Sequence, residues 1–527
     1  MYDFVVIGSG FGGSVSALRL AEKGYSVAVL EAGKRYRSED FPSTNWNVFK
    51  YFWAPRLRCF GILRLTTLSD VLILSGAGVG GGSLGYANTL LTPPAPFFQD
   101  PQWAEMADWE TTLAPHYETA KRMLGAVRNE RVTPADRVLK EVAEAAGCAH
   151  TFRMQDVGVF FGEPEVTVPD PYFDGRGPDR TGCHHCGGCM VGCRHNAKNT
   201  LDKNYLHLAE GLGVEVFSET SASRIRPTED GYAVDTWRTT SWLRRGQRTF
   251  TARQVILSAG VLGTVPLLLR CREAGTLTNL SPMLGARVRT NSETLTGSTA
   301  RRGNVDYSEG VAITSSIYPD EVTHVEPVRY PPGSDAMNAL TTILTDPAPP
   351  IRRVFKWLGN IFRHPVDFLR VLWPFGWAKR TVILLVMQTL DNSIRVFHKR
   401  RWWWPFGKGL VSEPEQKRAK IPVTIPQAQP ITRLLAEKMN GVPQSAINEV
   451  LVNTGITAHI LGGCAIGPDR DRGVVDSAGR VYGHPGLYVV DGSMVPANLG
   501  VNPSLTITAL AEHAMSHVPQ KSQHEAP

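Results

Sequence analysis

The chain is predicted to be an α/β protein in which a parallel-sheet domain, assembled from separated segments, carries an inserted α+β domain. Three observations lead there. The opening residues read strand, glycine turn, helix, strand. Two further apolar runs ending in glycine, Gln254 to Gly260 and Leu487 to Gly492, stand hundreds of residues downstream, where they complete one parallel sheet. With 527 residues, 42% hydrophobic and 20% charged, the chain is large enough to bury the cores of two or more domain-sized units.

Phe4 to Ile7 is a continuous apolar run, as a strand covered on both faces requires. Gly8, Gly10 and Gly13 follow in G-x-G-x-x-G spacing, with Phe11 between them. At a strand-to-helix junction the missing side chains permit a tight turn and let a pyrophosphate reach the helix N-terminus. Val15, Leu18 and Leu20 mark the buried face of that helix, Gly24 stops it, and Val27 to Leu30 is the second strand. Glu31, at its end, stands where an acid accepts hydrogen bonds from a ribose. A bound dinucleotide follows. A nicotinamide domain closes its sheet within one stretch, whereas the strand carrying Asp491-Gly492 lies near the C-terminus, so FAD is expected.

The FAD-binding, Rossmann-like domain is assigned to residues 1–95, 195–290 and 456–520. Residues 96–194 and 291–455, with scattered prolines and tryptophans, form the substrate-binding domain. Gln520 to Pro527 reads as a disordered tail. No window of about 18 uncharged apolar residues is present to span a bilayer. The N-terminus runs directly into a strand without a basic region and cleavage site, so no signal peptide is expected. The location implied is cytoplasmic.

Several motifs resemble the glucose-methanol-choline (GMC) flavoprotein oxidoreductases: Glu31-Ala32-Gly33, the run Gly78 to Leu84, His459-Ile460-Leu461-Gly462-Gly463, and Gly500 to Glu512. Together they reach across nearly the whole chain. The resemblance implies that Gly81, Gly82, Ser83 and Tyr86 lie against FAD, with Ala222, Gly260, Asp491, Gly492 and Asn502 completing its site. Alcohol oxidation removes a hydroxyl proton and a carbon-bound hydride together, which calls for a base over the flavin. The resemblance gives that role to His459. Asn502 precedes Pro503 and the helical pattern Leu505, Ile507, Leu510 and Ala511, which puts the positive end of a helix at 503. That end would stabilise negative charge on the flavin while Asn502 holds the substrate oxygen, caps the helix, or both.

Within the family, Ser258 to Leu280 and the tail Gly500 to Glu512 are similar to cholesterol oxidases. This implies oxidation of a sterol, a 3β-hydroxysteroid, to the ketone with 5-ene to 4-ene isomerisation, the isomerising proton moved by Glu326, and reoxidation by O2. Ile460 stands where the family has proline, and Gly85-Tyr86-Ala87-Asn88 departs from the Val-Asn-Gly-Gly of secreted cholesterol oxidases. The alternatives are an iron–sulfur-containing dehydrogenase of a sugar or other alcohol that passes electrons to a carrier, and a flavin-bearing lipid-binding protein without catalysis.

Cys183, Cys186, Cys189 and Cys193 have the C-x2-C-x2-C-x3-C spacing that ligates iron–sulfur clusters, although Arg194 rather than proline follows. Cys183, Cys189 and Cys193 also match the cysteines of cluster-bearing glucose dehydrogenases of this family. Structural zinc or four reduced thiols are the other readings. Eight cysteines so distributed do not resemble a disulfide framework, and a reducing compartment fits.

The net charge of +7 is concentrated. Residues 351–408 hold twelve Lys/Arg and two Asp, leaving the remainder at −3. From 350 to 380 that basicity interleaves with apolar side chains at helical spacing, Trp357, Leu358, Ile361, Phe362, Phe368, Leu369 and Leu372 among them. Arg401 to Phe406 adds three tryptophans. Residues 350–408 are expected to contact a membrane surface, the other reading being helices packed on the body with a solvated outer face. No nucleic-acid motif accompanies them.

Overall fold

A computed structural model describes residues 1–242, 245–400, 408–415 and 421–522. In chain order the elements that matter here are β1 (Tyr2–Ile7), α1 (Phe11–Glu22), β2 (Val27–Leu30), α2 (Trp109–Met123), β3 (Glu215–Phe217), β4 (Thr220–Thr228), β5 (Gly231–Arg238) and β6 (Arg248–Leu257). There follow β7 (Thr294–Ala300), β8 (Thr323–Val328), β9 (Thr341–Ile343), α3 (Pro350–Arg363), α4 (Pro365–Leu372), β10 (Thr381–Gln388), β11 (Gly441–Ala446), β12 (Leu487–Val489) and α5 (Ser504–Ser516).

The first sheet runs β3-β2-β1-β6-β5-β4, with β12 beside β6. Strands β3, β2, β1 and β6 are parallel, and β6-β5-β4 form an antiparallel meander. The length of β6 lets it serve two neighbours on one edge. Its first half pairs with β5, Ala252 opposite Tyr232, and its second half with β12, Val255 opposite Leu487. Phe4, Val5, Val6, Val255, Ile256 and Leu257 are fully buried, so these strands read as unbroken apolar runs rather than alternating ones.

Helix α1 packs against α5 across the chain termini, and the Arg19 guanidinium donates to both Glu512 carboxylate oxygens. Helix α2, within the stretch expected to belong to the substrate domain, instead shares this core. It packs on α5, and Tyr117 donates to Thr506 at 3.0 Å.

The second sheet is antiparallel throughout, in the order β8-β10-β7-β11-β9. Its strand β7 follows a buried turn, Arg289 to Glu293, that bridges to Leu461, so the second sheet reaches the first at the place where β12 ends. Among the described residues no helix is long and apolar enough to cross a membrane.

Candidate functional site

A cavity of about 590 Å3 lies between the two sheets, walled by the β1–α1 turn, the Gly81–Tyr86 loop, the residues after β6 and β12, and strands β7, β8 and β10. The local backbone explains why a long, flat group is accommodated. Gly8 has φ of +105°, and a Cβ there would run into the Ser258 backbone. A Cβ on Gly12 would overlap the Val490 carbonyl oxygen, so α1 starts in direct contact with the end of β12. Gly10, by contrast, faces open space, where a ligand's phosphates approach the helix terminus. Glu31 accepts from the Ser9 hydroxyl at 2.7 Å and from the Gly33 N–H at 2.7 Å, fixing the turn while its carboxylate borders the cavity. The residues fit a dinucleotide.

Of the residues singled out in the sequence, Gly8, Gly10, Phe11, Glu31, Gly81, Gly82, Tyr86, Ala222, Gly260, Asp491, Gly492, His459 and Asn502 all border this cavity. Gly13 and Ser83 do not. Gly13 packs against the Gly8 carbonyl, and the Ser83 hydroxyl donates to Gly80 O while accepting from Leu201 N. Both shape the loops from behind. Asp491 is likewise occupied with protein, accepting from Gly260 N at 2.9 Å and from Thr264 and Ser493.

The polar end of the cavity is a chain of four side chains. His459 Nδ1 lies 2.9 Å from Glu293, a buried carboxylate that also accepts from Thr457 and the Ala458 N–H. Burial opposes a charge on His459, but Glu293 outweighs it and Glu326 adds to it, so the imidazole titrates above its ordinary value. Asn502 donates through Nδ2 to Glu326 at 3.1 Å. Burial lifts the Glu326 carboxyl to about 7 against the opposing pull of Asn502 and His459. Glu326 itself is fully buried and does not border the cavity, which it reaches only through its hydrogen bond with Asn502. Helix α5 begins at Ser504 with Pro503 in the capping position, and Asn502 points to Glu326 instead of capping it. Asn502, Pro503 and Ser504 put the helix N-terminus on the cavity wall.

Two residues here escaped the sequence reading. Glu293 has no local motif and meets His459 only because the turn before β7 folds back on it. Asn291 accepts from Leu499 N and Gly500 N and donates to Val501 O, clamping the segment that presents Asn502. The opposite end of the cavity is apolar, lined by Leu74, Met337, Leu340, Trp377 and Ile383.

The four cysteines Cys183, Cys186, Cys189 and Cys193 are all unpaired and line a separate void of about 130 Å3 with His184 and His195. The tightest group within it is His184, Cys186 and His195, whose ligand atoms lie within 4.8 Å of one another. Lys198 ties this void to the main site. Its ammonium donates to the carbonyls of Leu84, Tyr86 and Cys189, and burial lowers its pKa to about 7.

Comparison with known proteins decides the family. Two GMC oxidoreductase models match residues 176–286 and 414–511, and an FAD-binding-domain model matches residues 3–46. A cholesterol oxidase of Acinetobacter baumannii is 50% identical over 99% of this chain and 95% of the relative. The chain belongs to the GMC oxidoreductase family. A cholesterol oxidase of Mycobacterium tuberculosis is 51% identical to this GMC oxidoreductase over 99% of the chain and 92% of the relative. The pyridoxine 4-oxidase of Mesorbium loti has the same fold, with a TM-score of 0.61 at 15% identity and 98% of each chain covered. The GMC oxidoreductase is therefore an FAD-dependent enzyme acting on CH–OH donors.

Proposed function

We propose that this GMC oxidoreductase oxidises a 3β-hydroxysteroid such as cholesterol to its ketone, moves the 5-ene bond to the conjugated 4-ene position, and uses O2 as electron acceptor. The observation that carries the reading is the two-ended cavity. Its apolar wall of Leu74, Met337, Leu340, Trp377 and Ile383 suits a steroid skeleton, and His459 and Asn502 at the other end suit one hydroxyl. The cholesterol oxidases that are 50% and 51% identical support the same substrate class.

Bound FAD, held by the glycine turn of α1, Glu31 and the Gly81–Tyr86 loop, would accept a hydride from the carbinol carbon. The chain supplies the rest. With Nδ1 turned to Glu293, His459 offers Nε2 to the substrate hydroxyl and takes its proton, and the Glu293 carboxylate stabilises the imidazolium that forms. The Asn502 amide, held by Glu326 on one side and by the Asn291 clamp along the chain, orients the substrate oxygen. The N-terminal turn of α5 favours negative charge at this end of the cavity. Glu326, titrating near neutrality, carries the isomerising proton from one steroid carbon to another once the Asn502 amide that it holds swings aside and the carboxyl meets the steroid.

A second reading rests on the void lined by four thiols. An iron–sulfur cluster there would make the enzyme a dehydrogenase that hands electrons to a carrier, and Cys183, Cys186, Cys189 and Cys193 would hold it. One experiment separates the two. The purified enzyme is mixed anaerobically with cholesterol in detergent while flavin absorbance is followed, and air is then admitted. Bleaching with recovery and peroxide is the expected result. Bleaching that persists in air, with iron and acid-labile sulfide in the protein, would establish the carrier-dependent reading, and no bleaching would remove the sterol.

A further inference from the structure

Helices α3 and α4 are apolar on two faces. Residues that the sequence pattern grouped together are divided by the fold. Trp357, Ile361, Phe368 and Val371 turn inward onto Ile343 and Val442, with the Trp357 indole donating to Thr342 at 2.8 Å. Arg353 is also inward, bonded to the Glu449 carbonyl and to Asn453. The outer face ought then to be polar. It is not. Ile351 is 75% exposed, Phe355 68%, Phe362 82% and Leu369 65%, and Leu358, Val366, Leu372, Trp373 and Phe375 are exposed with them. At i, i+4, i+7 and i+11, Ile351, Phe355, Leu358 and Phe362 form one stripe along α3, and α4 continues it.

Exposed Arg352, Lys356, Arg363 and Arg370 flank the stripe. The one acid between residues 350 and 380, Asp367, is paired with Arg301 and Arg370. A second copy of the chain would set these arginines against their own kind, whereas an anionic surface would neutralise them. The location of the ridge is informative. Helix α4 packs on β9 and on the 336–340 turn, and Met337, Leu340 and Thr341 of that stretch line the apolar end of the main cavity. Asn45 accepts from Ala336 N and donates to Ser334 O, so exposed Trp46 and Phe49 emerge beside the same end.

We propose that the outer faces of α3 and α4 are a foot that docks on an anionic phospholipid bilayer, with the apolar end of the cavity beside it. The stripe enters the acyl boundary and the flanking cations meet lipid phosphates. The tryptophans of the Arg401–Phe406 segment, which the sequence adds to this reading, lie outside the described residues. Exposure and charge govern such docking, so it is measured without turnover.

Full-length, FAD-loaded enzyme is floated with vesicles of phosphatidylcholine alone or mixed with phosphatidylglycerol. The expected result is binding to the mixed vesicles, weakened by salt, and a drop of at least about tenfold in partitioning for the Phe362→Glu, Leu369→Glu double variant. The paired Arg352→Ser, Lys356→Ser variant should lose the preference for phosphatidylglycerol. Both variants alter exposed side chains, and retained flavin absorbance reports that they fold. Binding unchanged in the folded double variant would overturn the proposal, as would a dimer in solution that the double variant converts to monomer without vesicle binding in either form.

Discussion

Replacing Glu326 by glutamine has a consequence whose size follows from its surroundings. Burial raises this carboxyl from the ordinary 4.5 to about 7, so between those values the folded chain keeps a proton that the unfolded chain has released. Stability therefore falls as pH rises from 4.5 to 7, and the full deficit is present above 7. At 1.36 kcal/mol per pH unit that deficit is about 3 kcal/mol. Glutamine, neutral at every pH, does not suffer it and still offers Asn502 a carbonyl. With an unfolding entropy of roughly 2.1 cal/mol/K per residue over 527 residues, the gain corresponds to a rise in Tm of about 3 °C. Thermal unfolding of the FAD-loaded protein should show that rise at about pH 8.5 and almost none at about pH 4.5. In the same variant, conversion of a 5-ene-3-ketone to the conjugated 4-ene ketone should slow by roughly 10²–10⁴-fold, the usual share of one proton-transferring group. Equal Tm shifts at both pH values would refute the buried, neutral carboxyl, and wild-type isomerisation would refute its role.

Glu293→Gln removes the anion that holds His459 above its ordinary pKa; the acid limb of the kcat/KM profile for oxidation should move to lower pH, and its absence would disconnect the pair. Asn502→Ala should lower kcat by about 10²-fold, comparable to losing one preorganised donor, with flavin content retained as the check that the site still forms. Gly12→Ala, whose added methyl has no room against Val490, should yield protein without bound flavin or no soluble protein, measured by the ratio of flavin to protein absorbance.

What was legible in the sequence was local. The glycine turn of α1 announces itself because Gly8 and Gly13 have no room for a side chain and Gly10 between them leaves space for a ligand, and the twice-buried strands β1, β6 and β12 are legible as unbroken apolar runs. Glu31 and His459 end or follow such patterns. Glu293 was invisible because what fixes it, contact with Thr457, Ala458 and His459, is made across more than 160 residues of chain. The same distance hid the pairing of Asn502 with Glu326, although each was singled out by itself. Helical spacing identified α3 and α4 as amphipathic, but a pattern with apolar residues on both sides could not show which would be covered. Contact with Ile343 and Val442 decides that, and those residues belong to separate strands.

The pairing of β6 with β12 sets a timetable for biosynthesis. The central strand is complete by residue 257, yet the neighbour that covers its second half is not made until residue 489, and α5, which closes the core over α1, not until residue 516. At about 5–20 residues per second, the ribosome needs on the order of 10–50 s to cover that interval. Throughout it the nascent chain displays the open edge of Val255 to Leu257 and an uncovered α1, surfaces suited to a chaperone, and the flavin cavity lacks the wall that Asp491 to Ser504 provides. Loading of the cofactor therefore awaits synthesis of the segment through Ser504, and truncation before residue 504 removes part of the wall of the flavin cavity.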